Sequence, residues 1–132
     1  MTPKPNPVIR RAKLADADLL AELGARTFSE TFAAHNSPAD MAAYLASSFG
    51  PAHQAVELAD PHSSFRIAEV EGVAVGYAML RSGDVLDRVT DDDPIELVRL
   101  YVAQEYLGRR VGAALMRVCI SDAKQQGYRT LW

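Results

Sequence analysis

Apolar positions along this chain change their period twice, and those changes divide it into elements. Val8-Ile9-Arg10-Arg11 reads as a short first strand, after a lead that Pro3, Pro5 and Pro7 keep extended. Leu20, Leu23, Thr27, Phe28 and Thr31 then recur near helical spacing, and Asp16 is the expected N-cap of a helix running through about Ala33. Ser37 caps a second helix, with Pro38 at its first position and Asp40 adding negative charge to its first turn. Met41, Tyr44 and Leu45 form its stripe, and Gly50-Pro51 stops it. Ala52 to Ala59 adds a short third helix before Asp60-Pro61.

The period then falls to two. Phe65 to Val70, a Glu71-Gly72 turn and Val73 to Arg81 predict a hairpin. On its second arm Val73, Val75, Tyr77 and Met79 alternate with Ala74, Gly76 and Ala78, so one face is expected to carry the bulk. Ser82 to Asp93 is a polar loop ending in Asp91-Asp92-Asp93. Pro94 opens a strand through about Ala103, since proline is tolerated at a strand's first residue. A long helix follows from about Gly108 to Gln126, with Val111, Leu115, Val118 and Cys119 on one stripe and Gly127 as its stop. Tyr128 to Trp132 begins another strand. The order of elements predicts one α/β layer domain over 1–132.

Composition narrows the class. The 132 residues are 48% apolar and 23% charged, which fits a globular domain and excludes a disordered segment. Lys and Arg total 14 against 17 Asp and Glu, a net charge of −3, so nucleic acid is not an expected partner. No apolar run approaches the roughly 20 residues that span a bilayer, and the start lacks the apolar core of a secretory signal. A single cysteine, Cys119, forms no internal disulfide and fits a reducing cytoplasm. His35, His53 and His62 share no metal spacing, so no metal site is expected.

The chemistry concentrates between Glu96 and Met116, where a strand runs through a short glycine-bearing turn into the long helix. Such a turn presents backbone N–H groups at the positive end of a helix dipole and suits a phosphate. Gly108 and Gly112 allow close approach, and Arg109 and Arg110 add charge; an ordinary strand-to-helix connection with solvated arginines is the alternative. Neither the P-loop pattern nor G-x-G-x-x-G is present.

Leu100-Tyr101-Val102 followed by Tyr106 to Leu115 resembles the acetyl-CoA motif of the GNAT superfamily of N-acetyltransferases. That family's turn is usually written Q/R-x-x-G-x-G/A, and the six positions here are Leu107, Gly108, Arg109, Arg110, Val111 and Gly112. The first and fourth depart from the pattern, with Leu for Gln or Arg and Arg for Gly. Ile9 to Ala12 with the helix after it is similar to the family's first strand and helix. Thr27 to Phe32 and the second helix resemble the subgroup acting on small amines, including polyamines.

The resemblance implies a GNAT-type mixed central sheet with flanking helices and acetyl-CoA as co-substrate. Leu100, Tyr101 and Val102 would supply backbone groups to the pantetheine arm and thioester, and Leu107 to Gly112 would hold the pyrophosphate. The chemistry needs a neutral amine, whereas an ammonium has a pKa near 10.4, so a base must take its proton. Glu96 is the candidate, on a face expected to be shared with Val98, Leu100 and Val102; a solvated strand-end carboxylate is the alternative. His35 would line an amine pocket walled by Phe28, Phe32, Met41 and Tyr44; a surface histidine and a core stripe are the plainer readings. Asp91-Asp92-Asp93 would attract a cation or simply be a solvated loop. Tyr101, alternating to the other face, and Cys119 read as packing. With no Cys or Ser paired to a His motif, direct transfer is expected rather than an acyl-enzyme.

In that family the sheet continues past its fifth strand, so the resemblance also implies a fold that is incomplete after Trp132. A sheet ending there would leave an open edge for self-pairing and half expose the stripe of Val111, Leu115, Val118 and Cys119, so either a homo-oligomer through that edge or a marginally stable chain is expected. Two other activities stay open: acetylation of a protein N-terminus or lysine, and a non-catalytic CoA-binding module.

Overall fold

The computed structural model of the chain describes residues 6–32, 37–82, 94–106, 110–128 and 130–131. Strand β1 (Val8–Arg11) forms one sheet edge, antiparallel to β2 (Ser63–Val70). From β1 the Arg10 guanidinium reaches Asp16, donating two hydrogen bonds of 2.9 Å, and donates a third to Glu69 at 3.2 Å. Asp16 is therefore not the N-cap that the sequence suggests. It closes a 3-10 turn (Leu14–Asp16), its carboxylate accepts from the Lys13 amide at 2.7 Å, and α1 (Ala17–Phe32) follows directly. The Asp16 carboxylate thus serves the guanidinium and the opening amide of the turn together, and the Arg10 hydrogen bonds hold its pKa below the usual range.

The next two helices follow their turn chemistry. Helix α2 (Pro38–Phe49) starts at Ser37, whose hydroxyl accepts from the Asp40 amide at 3.1 Å. Helix α3 (Pro51–Ala59) begins after Gly50, with Pro51 in its first turn, and lies against α1.

Strand β2 turns into β3 (Val73–Ser82) through Glu71-Gly72, both at positive φ (52° and 81°), the geometry of a tight two-residue hairpin. Ala68 pairs with Gly76 and Glu69 with Ala74, which leaves Val75 as an extra residue. The expected single bulky face is thereby split. Val75 joins Ala78 and Leu80 in one core, whereas Tyr77 and Met79 join Phe65, Ile67, Leu20 and Leu23 in the other. Both faces of β3 are buried from Val75 to Leu80.

Strand β4 (Pro94–Val102) pairs antiparallel with β3 and carries a second irregularity. Leu80 lies opposite Leu97 and Met79 opposite Arg99, so Val98 is the extra residue. A two-residue strand, β5 (Thr130–Leu131), joins β4 in parallel at Pro94 and Ile95. The result is an antiparallel four-stranded sheet extended by a short parallel fifth strand, in the order β1-β2-β3-β4-β5.

Helix α4 (Val111–Gln125) covers one face of this sheet, and α1 and α3 pack on the other. Val111, Leu115 and Cys119 are 2%, 0% and 1% exposed over Ala68, Val75, Ala78 and Leu80. The expectation that this stripe is left half exposed is therefore overturned; only Val118, on its flank, is partly exposed. The floor comes from β2, β3 and β4, with Leu131 of the fifth strand packed at its margin. Arg66 on β2 clamps α4 to the sheet with hydrogen bonds of 2.8 and 2.7 Å to Asp122.

At Gly76 the neighbouring strand leaves no room for a side chain: a Cβ built there would sit 2.8 Å from the Tyr101 carbonyl oxygen. Gly76→Ala is expected to lower stability by about 1–3 kcal/mol, because backbone of the neighbouring strand must move. Urea unfolding checks this; an unchanged midpoint would show that the two strands have slack.

Candidate active site

Strand β4 and the start of α4 diverge around a cleft of about 460 Å³ lined by Leu100, Val102, Tyr106, Arg110, Val111, Gly112 and Ala113. Five of these were expected from sequence to lie together: Leu100, Val102, Arg110, Val111 and Gly112. Tyr106 and Ala113 were missed as lining residues. Tyr106 was quoted only as part of the motif, but the 3-10 turn that carries it (Gln104–Tyr106) folds it beside the strand it follows. Leu107, Gly108 and Arg109 lie outside the described residues, as do His35 and Asp91 to Asp93.

The donor end of the cleft is backbone. The first ladder bond of α4 runs from the Ala114 amide to the Arg110 carbonyl at 3.0 Å, so the amides of Val111, Gly112 and Ala113 precede the ladder. Arg110 itself is left-handed, at φ 66° and ψ 12°, and the helical residues follow it immediately. A left-handed residue followed by a right-handed one turns successive N–H groups inward into a concave anion nest, which adds to the helix dipole. The same backbone breaks the helix, which therefore starts at Val111 rather than near Gly108. Gly112 borders the side chains of Leu100 and Val102: a Cβ there would meet them at 3.7 and 3.8 Å, ordinary contact distances. A methyl fits at that point, whereas a large side chain would fill the cleft.

Glu96 is not on the face that the sequence suggests. Ile95 and Leu97 belong to the α4 core, so Glu96 between them points to the α1–α3 side. The extra residue at Val98 then resets the alternation. Leu100 and Val102 return to the α4 side, and Val98 and Tyr101 lie with the other core. Glu96 thus shares a face with Val98 but not with Leu100 or Val102. It is half-buried and makes no ion pair among the described residues. Among the described residues no strand pairs with the outer edge of β4 from Glu96 onward.

The α1–α3 side is aromatic. Phe28 stands 4.5 Å from Phe32 and 4.8 Å from Tyr44, centroid to centroid, and 5.5 Å from Phe49. Phe49 leads on to Tyr101 at 6.3 Å, and Tyr101 meets Tyr77 edge-on at 5.5 Å. Phe32 and Tyr44 remain 41% and 47% exposed at the outer end, while Met41 is buried. Tyr101 is packing on its side chain, as expected, and burial raises its pKa. Beneath this row Arg99 donates to Glu57 on α3 at 2.8 and 3.0 Å, and its guanidinium lies 5.9 Å from the Phe49 ring centroid. Sequence gave no sign of this pair, because the partners are 42 residues apart.

Among the described residues no group of three or more His, Cys, Asp or Glu is placed to hold a metal ion, and no helix is long and apolar enough to cross a membrane.

Residues 19–132 match the model of the acetyltransferase (GNAT) family. An uncharacterized N-acetyltransferase of Mycobacterium tuberculosis is 34% identical over 119 residues, covering 90% of this chain and 72% of that protein. The fold is similar to the crystal structure of the PaiA N-acetyltransferase from Thermoplasma acidophilum in complex with coenzyme A. The TM-score is 0.77 at 19% identity, over 92% of this chain and 74% of that one. It is also similar to an aminoglycoside acetyltransferase from an uncultured soil metagenomic sample in complex with sisomicin. There the TM-score is 0.70 at 16% identity, over 96% of this chain and 75% of that one.

The left-handed Arg110 gives a direct test of the turn geometry. A non-glycine residue there costs roughly 1–2 kcal/mol, which glycine avoids at the expense of a more flexible unfolded chain. Arg110→Gly should therefore be neutral or stabilising by up to about 1 kcal/mol, and Arg110→Val should be destabilising. Thermal melting of the two variants in which valine is the more stable would rule out the left-handed turn.

Proposed function

The chain belongs to the acetyltransferase (GNAT) family and is an acetyl-CoA-dependent N-acetyltransferase; we propose that its acceptor is a primary amine on a small molecule, polyamine-like in type. The observation that carries the reading of the site is the cleft between β4 and α4, which ends at the backbone amides that precede the α4 ladder. The residues present fit the coenzyme. Its anionic pyrophosphate would take the amides of the Arg110 to Ala113 segment, with Leu107, Gly108 and Arg109 completing the turn by sequence. Its pantetheine amides would lie along the outer edge of β4 at Leu100, Tyr101 and Val102. Acetyl-CoA supplies an activated acyl group as a thioester.

The rest falls to the chain. An amine arrives protonated at neutral pH, and Glu96 would accept that proton directly or through one water. Its place on the α1–α3 side of β4 favours this role, since the acceptor wall is on that side. Phe28 and Phe32 would supply that wall, with His35 next to them in sequence. The exposed rings of Phe32 and Tyr44 offer apolar contact and a cation-attracting face to an aminated ligand. The neighbour holding sisomicin is consistent with such an acceptor.

Two substitutions separate the parts of this reading. Glu96→Gln keeps the shape and removes the basicity, so kcat should fall by roughly 10²–10⁴-fold across pH 6–9. A loss of less than about threefold at saturating substrates would move the base elsewhere. Gly112→Trp should fill the cleft and abolish measurable CoA binding in calorimetry, with the fold intact by circular dichroism. Unchanged CoA affinity in that variant would sink the assignment of the turn.

A further inference from the structure

The connection between β4 and α4 is held from outside by α1. Ala103, fully buried, is fixed to β3 by its amide, which donates to the Val75 carbonyl at 2.8 Å. The next residue, Gln104, donates its backbone N–H to the Glu30 carboxylate at 2.9 Å, a contact across 74 residues of sequence. Arg26, one turn earlier on α1, pairs with Glu30 at 3.5 Å and also with Glu105. The Tyr106 amide then closes the turn on the Ala103 carbonyl at 2.9 Å, and Tyr106 forms one wall of the cleft.

Glu30 therefore holds main chain directly, and Arg26 holds both Glu30 and the turn's own carboxylate. A carboxylate accepting a backbone amide is a stronger and more directional contact than a pair of flexible surface charges. The bond also lies at the base of the turn that carries Tyr106 to the cleft wall. We propose that Glu30 and Arg26 are positioning residues that set the Gln104–Tyr106 turn and thereby the affinity for acetyl-CoA. Neither touches the reacting atoms. The proposal rests on the cleft's being the coenzyme site. It adds a link to the other substrate, because the same two turns of α1 carry Phe28 and Phe32.

The test is steady-state kinetics with calorimetry of CoA binding on the wild type, Glu30→Ala, Glu30→Gln and Arg26→Ala, with Glu22→Ala as a control on the same helix. Glu30→Ala should raise KM for acetyl-CoA and Kd for CoA by roughly 5–10-fold, less than the ~10–100-fold of one charge-assisted hydrogen bond because the bond acts on the cleft through the turn, and leave kcat within about twofold. Glu30→Gln retains an acceptor oxygen and should recover most of the affinity. Arg26→Ala should fall between them and lose its effect in high salt, because Arg26 and Glu105 are exposed. CoA affinity within twofold of wild type in Glu30→Ala would overturn the proposal, as would equal losses in the glutamine and alanine variants. Failure of the wild type itself to bind CoA would instead remove the reading of the cleft.

Discussion

The extra residue at Val98 is the constraint on which the site depends. Side chains alternate along a strand, so one residue inserted into a single member of a pair transfers everything beyond it to the opposite face. Without that insertion Arg99 and Tyr101 would point at α4, and Leu100 and Val102 would point at α1. With it, Leu100 and Val102 floor the cleft beside Gly112, and Arg99 and Tyr101 complete the aromatic side. Glu96, just before the irregularity, stays on the same side as Tyr101. One strand thus puts the cleft and the aromatic row on opposite faces of the sheet, the arrangement on which the proposed two-substrate transfer rests.

Each face of the sheet is also fastened by a guanidinium held by two hydrogen bonds to a carboxylate. Arg66 joins β2 to Asp122 on α4, and Arg99 joins β4 to Glu57 on α3, with Arg81 adding a longer bond of 3.3 Å to the same carboxylate. Desolvation is the largest single influence on the Arg99 charge and lowers its pKa, but the hydrogen bonds to Glu57 and the surrounding charges together raise it above normal. Such pairs add little net stability over apolar packing, yet losing one partner strands a buried charge. They fix the register in which each helix sits on the sheet.

Much of this was legible from residues whose meaning is local. Val8 to Arg11, Ser37 with Pro38, the Glu71-Gly72 turn and the stripe on α4 are decided by neighbours a few positions away. The succession of β4, the connection and α4 was legible for the same reason, since the two elements are contiguous in sequence. What was not legible is whatever depends on a partner far along the chain. Asp16 looks like a cap until Arg10 claims it, and the faces of β3 and β4 follow simple alternation until pairing inserts Val75 and Val98. Glu96 was correctly placed near the start of β4 and set on the wrong face for that reason alone. Glu30 and Glu57 carry no signal at all, because an acidic residue on a helix is ordinary until a distant amide or guanidinium meets it.

The buried stripe of α4 has a practical side. Cys119 is the chain's one cysteine, 1% exposed, and burial pushes its thiol up to about 11. At neutral pH it is protonated and shielded from reagents, so it offers almost no thiolate to an electrophile. An acetyl transfer from acetyl-CoA liberates one free thiol per turnover. In a colorimetric assay based on an aryl disulfide, the signal from the folded protein would therefore count product alone, and a slow extra rise of one equivalent per chain would report unfolding.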